Sequence, residues 1–117
     1  MDDARLWGSE RGLWTASPDH YREIIAPEAL MVLPDAPYVF SGEAAVAAVS
    51  RTPQWTDVVF DDQQVLRPQE GWIVIAYGVS VSNAQDRYAA VCTTTYRRLE
   101  HDVWRVVQHQ QSPRPAS

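Results

Sequence analysis

The second half of the chain most constrains what it can fold into. Four stretches, Thr56 to Leu66, Trp72 to Val81, Arg87 to Leu99 and Val103 to Gln110, are rich in Val, Ile, Thr, Tyr and Trp. Only the short segments "RPQEG", "SNAQD" and "EHD" separate them. A parallel crossover needs about a dozen residues or more, so strands this close must pair antiparallel in chain order. The pattern predicts a four-stranded meander.

Helical signals come first in the chain. In "DDARLWGSERGLWTA", Leu6-Trp7 and Leu13-Trp14 recur seven residues apart, which puts them on one face of a helix from Asp3 to Ala16. Its polar residues include Ser9, Glu10, Arg11 and Thr15. Ser17 then suits an N-cap, Pro18 the first helical position and Asp19 the first turn. Tyr21, Ile24 and Ile25 share a face of this second helix, which Pro27 is expected to end. Leu30 to Leu33 reads as a short strand, Pro34 and Pro37 bracket a loop, and "YVF" is extended again. Ser41 caps a third helix over Glu43 to Val49, which should bury Val46 and Val49 and stop at Pro53. Helices followed by strands define an α+β fold with the helices on one face of a curved sheet. Twist in such a sheet leaves a cavity at its open end. Residues 1–111 form one domain, and residues 112–117, "SPRPAS", read as a flexible tail.

Alternation along the strands assigns faces. Ile73, Ile75, Tyr77 and Val79 share one face, as do Cys92, Thr94 and Tyr96. On the last strand, Trp104, Val106, Gln108 and Gln110 alternate with Arg105, Val107, His109 and Gln111. A bulge would exchange the two sets. Both faces of the central strands are substantially apolar. One meets the helices, and a second copy of the sheet is the expected cover for the other, which makes the protein a homodimer.

Composition narrows the function classes. Ten Lys and Arg stand against fifteen Asp and Glu, for a net charge of −5, and the basic residues are scattered. That argues against nucleic acid as a partner. No apolar run approaches the roughly 20 residues of a membrane span. Cys92 is the lone cysteine. A reducing, cytoplasmic setting is therefore expected. His20, His101 and His109 fall on different elements, so no metal site is expected. No phosphate-binding or dinucleotide-binding glycine motif occurs, and no cofactor is expected.

Three runs together carry a family resemblance: "YREIIAPEALMVLPD", "FSGEAAVAAV" and "YRRLEHDVWRVVQHQQS". In order and spacing they resemble the nuclear transport factor 2-like superfamily, whose fold is also called the cystatin-like cone or SnoaL-like fold. The closest look is to its small, uncharacterised bacterial members. The resemblance covers nearly the whole chain and implies N-terminal helices packed on a strongly curved, mainly antiparallel sheet. The superfamily includes ketosteroid isomerases, polyketide cyclases, dehydratases, association domains and transport factors, so the resemblance implies a fold and not one activity. In its ketosteroid isomerases a carboxylate base precedes a proline near the end of the first strand. Leu33 holds that place here, and Asp35 lies just past Pro34. Those isomerases also carry a tyrosine on the first helix, which this chain lacks. Steroid isomerisation through Asp35 is not expected.

Three readings follow. The first is a cone that binds a small, mostly apolar molecule. Tyr21, Tyr38, Trp55, Tyr77 and Tyr96 are the candidate pocket residues, with Gln108 if the register reverses. The second is a small isomerase, cyclase or dehydratase acting on a carbonyl compound by proton transfer. His109 is then the best acid or base, because imidazole titrates near neutral pH, and Asp35 is the reserve. The third is a purely structural dimerisation module.

Overall fold

The computed structural model describes residues 1–15, 17–52 and 54–115. Three helices, α1 (Asp3–Thr15), α2 (Pro18–Ile24) and α3 (Gly42–Ala48), lie against one sheet. Its strands are β1 (Ile25–Val32), β2 (Val39–Ser41), β3 (Asp57–Gln69), β4 (Trp72–Ser82), β5 (Arg87–Glu100) and β6 (Val103–Pro113). The order is β2-β1-β6-β5-β4-β3. The β3 to β6 meander forms as expected, and β1 joins it by pairing parallel to β6. All strands pair antiparallel except for that single contact.

The caps fall where the sequence places them. Ser17 Oγ accepts from the His20 backbone N–H at the start of α2, and Ser41 Oγ accepts from that of Ala44 at the start of α3. Gly42 lets α3 close on β1: a Cβ there would stand 1.9 Å from the Ala26 carbonyl oxygen. Pro53, the expected stop of the third helix, lies outside the described residues, as does Ala16 at the end of the first. Helical geometry passes at Val49–Arg51 into a single 3-10 turn. Ala45 is buried on α3 and Val49 in the turn that follows, with Val46 only partly buried.

Two boundaries differ from expectation. Pro27 does not end a helix. α2 stops at Ile24, and Pro27 sits within β1, where the register against β6 shifts between Ile25 and Leu30. A ladder interruption is where a strand tolerates proline. At the other end, β6 runs on through Pro113. The Arg114 backbone N–H donates to the Ala89 carbonyl, and its guanidinium reaches Asp61 at 2.8 Å. The first residues of the expected tail therefore belong to the sheet.

The core lies between α1 and the inner sheet face. Leu6, Leu13 and Trp14 meet Ile73, Ile75, Val79, Tyr96 and Val106 there. The inner-face sets expected on β4 and β5 are buried as read. On β6 the alternation breaks. Tyr96 faces Val106 while Thr95 faces Gln108, so an extra residue is accommodated on β6. This bulge puts His109 and Gln111 on the same side as Trp104 and Val106. Gln108 is turned to the outer side, where it bonds Thr93 and Thr95.

Candidate functional site

Glu10 occupies the helical position between Leu6 and Leu13 on the buried stripe of α1, four residues from one and three from the other. It is wholly buried, and three hydroxyl groups converge on it. Tyr96 donates to Oε1 at 2.8 Å, Thr94 donates to Oε2 at 2.6 Å, and Tyr77 donates to Oε2 as well. The Trp14 indole N–H then donates to the Tyr77 oxygen at 3.1 Å. All three hydroxyls come from neighbouring central strands, on the face that the pleat turns toward α1.

His109 completes the cluster. Its Nδ1 lies 2.7 Å from Thr94 Oγ1 and 3.6 Å from Glu10 Oε2. Hydrogen-bond inventory assigns the protons. Threonine has one hydrogen, and Thr94 gives it to Glu10, so Nδ1 must carry a hydrogen and donate to Thr94. Nε2 is then an acceptor, and the Gln111 amide nitrogen stands 3.2 Å from it. Gln111 Oε1 in turn accepts from the Tyr88 hydroxyl at 3.0 Å. A continuous chain runs Tyr88, Gln111, His109, Thr94, Glu10, with each group donating to the next.

Burial and Glu10 set the protonation of these groups. Loss of solvent, with Glu10 adding to it, pushes the Tyr77 and Tyr96 phenols far above their ordinary range, so both stay donors. Burial lowers the His109 pKa, and Glu10 only partly opposes that. The imidazole is therefore held neutral, as the hydrogen-bond directions require. Burial, with Glu10 adding to it, pushes the Cys92 thiol up to about 12. Cys92 is a packed, unreactive side chain of the core.

The cavity of the cone opens above this cluster. It measures about 400 Å³, and its lining includes Leu13, Trp14, Tyr21, Leu33, Trp55 and Tyr88, a size suited to a small molecule. Trp14 and Gln111 form part of its wall, and both also contact His109. Trp55 stacks on Tyr88 at 6.2 Å and 19°. The Tyr21 hydroxyl donates to the Leu13 carbonyl at 2.8 Å, which fixes its ring.

The candidate residues divide accordingly. Tyr21, Trp55 and the exposed Asp35 line the cavity. Tyr77, Tyr96 and His109 join around Glu10 beneath it. Tyr38 is 56% exposed in a turn and does not line the cavity. Gln108 is on the outer side of the sheet. Glu10 is the residue that sequence reasoning named and passed over. Its signal was an acidic side chain in phase with Leu6 and Leu13. Among the described residues, no group of three His, Cys, Asp or Glu is arranged to hold a metal ion, and no helix is long and apolar enough to cross a membrane.

No protein-family model and no curated protein matches the chain. Solved structures do. A nuclear transport factor 2-like protein of unknown function in nutrient uptake from Rhodospirillum rubrum superposes with a TM-score of 0.81 at 15% identity, over 98% of this chain and 100% of that one. A ketosteroid isomerase-like protein from Erwinia carotovora atroseptica gives 0.74 at 12% identity, over 95% and 92%. The CamKII hub homology domain of Chlamydomonas reinhardtii gives 0.72 at 13% identity, over 96% and 95%.

Proposed function

From its nuclear transport factor 2-like fold, we propose that the chain is a binding protein for a small, mostly apolar molecule held in the open end of the cone. The observation that carries this reading is the cavity itself, about 400 Å³ walled by Trp14, Tyr21, Trp55 and Tyr88. Aromatic side chains offer large apolar contact area at low entropic cost. The Glu10 cluster serves as the rigid floor, fixing Trp14 from below through Tyr77. The test is a tryptophan-fluorescence titration with small aromatic and alicyclic compounds, repeated on Leu33→Trp, which fills the cavity. Saturable binding that the variant loses is expected. Absence of binding across the panel, or binding indifferent to Leu33→Trp, would overturn the reading.

The second reading, an enzyme acting by proton transfer, draws on the hydrogen-bonded chain from Tyr88 to Glu10. Glu10 and Thr94 fix the tautomer of His109 and leave Nε2 basic, as a general base requires. Gln111 occupies that nitrogen, and an amide side chain is a poor proton carrier, so its swing away from His109 would have to precede catalysis. Asp35 is exposed and lies outside this chain of donors, a weaker candidate base.

Self-association is proposed for the outer sheet face. Leu30, Leu66 and Val91 are exposed, and Thr93, Thr95, Gln108 and Gln110 add uncharged neighbours. The likeness to a hub homology domain supports a surface of this kind. A cytoplasmic setting fits the single, buried Cys92. Sedimentation equilibrium at micromolar concentration should give twice the 13.2 kDa chain mass, and Thr93→Arg should reduce it to one.

A further inference from the structure

The polar groups of the cavity wall narrow the ligand further, on the footing that the cavity is the binding site. Three of the four aromatic polar groups in the wall donate back into the protein. The Trp14 indole donates to Tyr77, the Tyr21 hydroxyl to the Leu13 carbonyl and the Tyr88 hydroxyl to Gln111. Of these four, only the Trp55 indole N–H has no partner among the described residues. Among these aromatic groups a carbonyl compound meets rings and oxygen lone pairs more than hydrogens, and the Arg87 guanidinium is the remaining strong donor of the lining. That is a poor match for an acceptor and a good one for positive charge.

The rings and the rim agree. Tyr88 neighbours two tryptophans, with its centroid 6.2 Å from that of Trp55 and 6.2 Å from that of Trp14. The faces of such rings carry negative electrostatic potential, and clusters of them hold ammonium groups. Two carboxylates, Asp35 and Asp86, line the same cavity, against the single guanidinium of Arg87. Neither carboxylate is engaged by a cation among the described residues. Asp35 is near enough to Tyr88 to contribute, after burial and Cys92, to raising its phenol to about 12. The chain as a whole is acidic, with a net charge of −5, which favours approach of a cation.

We propose that the molecule bound in this cavity is an organic cation, an alkylated ammonium ion, held against Trp14, Trp55 and Tyr88 with Asp35 and Asp86 as its counter-charges. The ammonium group sits among the rings, and the apolar remainder packs on Leu13 and Leu33. The polar group of the ligand is thereby a charge without acceptor function, which the inward-turned donors of the wall do not oppose.

The test compares three probes of similar size by isothermal titration on the full chain: phenyltrimethylammonium, its uncharged isostere tert-butylbenzene, and acetophenone as the carbonyl compound. The cation should bind about tenfold more tightly than either neutral probe, the order expected of a desolvated cation–aromatic contact. Asp35→Asn is an exposed loop change with little bearing on folding. It should weaken the cation several-fold and leave tert-butylbenzene unchanged. Trp55→Phe, with folding checked by its melting curve, should also reduce the preference. Neutral probes binding as tightly as the cation, or a preference untouched by both variants, would overturn the inference and leave the cavity as a binding site for neutral molecules. If no probe binds at all, the binding reading falls and this inference falls with it.

Discussion

Replacing Glu10 by Gln changes one buried atom from acceptor to donor and removes the charge, with almost no change of volume. Tyr77, Thr94 and Tyr96 are between 0% and 3% exposed, so no water can replace the lost acceptor. Two of the three donors converge on Oε2, so the amide oxygen belongs there and the amide nitrogen faces Tyr96. The Tyr96 oxygen can accept from that nitrogen, but its own hydrogen loses the carboxylate and has only the adjacent Ser9 hydroxyl to turn to. A charge-assisted bond that becomes neutral loses about 1 kcal/mol, and all three bonds are affected. A net loss of roughly 2–4 kcal/mol is expected, which for a domain of this size lowers the melting temperature by roughly 10–20 °C. Urea denaturation followed by far-ultraviolet circular dichroism measures it. Tyr96→Phe removes the displaced hydroxyl. The double variant should therefore be less destabilised than the sum of the singles, by about 1–2 kcal/mol. A Glu10→Gln protein as stable as the wild type, or strict additivity with Tyr96→Phe, would refute the picture of three donors converging on one carboxylate.

Three further outcomes follow from the same structure. Burial lowers the His109 pKa in the folded chain, so below about pH 6.5, the ordinary histidine value, the unfolded chain binds the extra proton. Its share of stability is complete above that pH and drains away as pH falls toward the folded value. Melting temperatures from pH 7 to 5 should drop, and His109→Gln should flatten that part of the slope. An identical slope in the variant would count against a neutral, buried imidazole. Cys92, with its thiol raised to about 12 and its side chain buried, should react with thiol reagents only at the rate of unfolding, and rapid labelling of the native protein would contradict this. Gly42→Ala forces a methyl group to within 1.9 Å of the Ala26 carbonyl oxygen and should cost about 1–3 kcal/mol as an overpacking change, read from the same denaturation curves. An unchanged midpoint would mean that α3 does not press on β1.

Much of the fold was legible because it rests on local signals. The meander was written in strand length and turn spacing, and the helix starts in Ser17 and Ser41. Leu6 and Leu13 marked the buried face of α1. What escaped notice depended on contacts distant in sequence. Pro27 could sit in a strand only because the ladder to β6 breaks at that point. The inward turn of His109 depended on a bulge, which strand parity cannot locate. Glu10 was visible as an acid in phase with an apolar stripe, but its partners Tyr77, Thr94 and Tyr96 lie 67, 84 and 86 residues away. Tyr38 and Gln108 had suitable chemistry for a pocket, and the turn before β2 and the outer side of β6 carried them away from it.

The most direct measurement is a nitrogen-15 spectrum of the five tryptophan indoles during titration with phenyltrimethylammonium. The indole signals of Trp14 and Trp55 should shift together and saturate, while Trp72 and Trp104, which do not line the cavity, stay in place. Shifts confined to Trp7, Trp72 or Trp104, or no saturable shift of Trp14 and Trp55, would contradict the assignment of the aromatic cavity as the site of an organic cation.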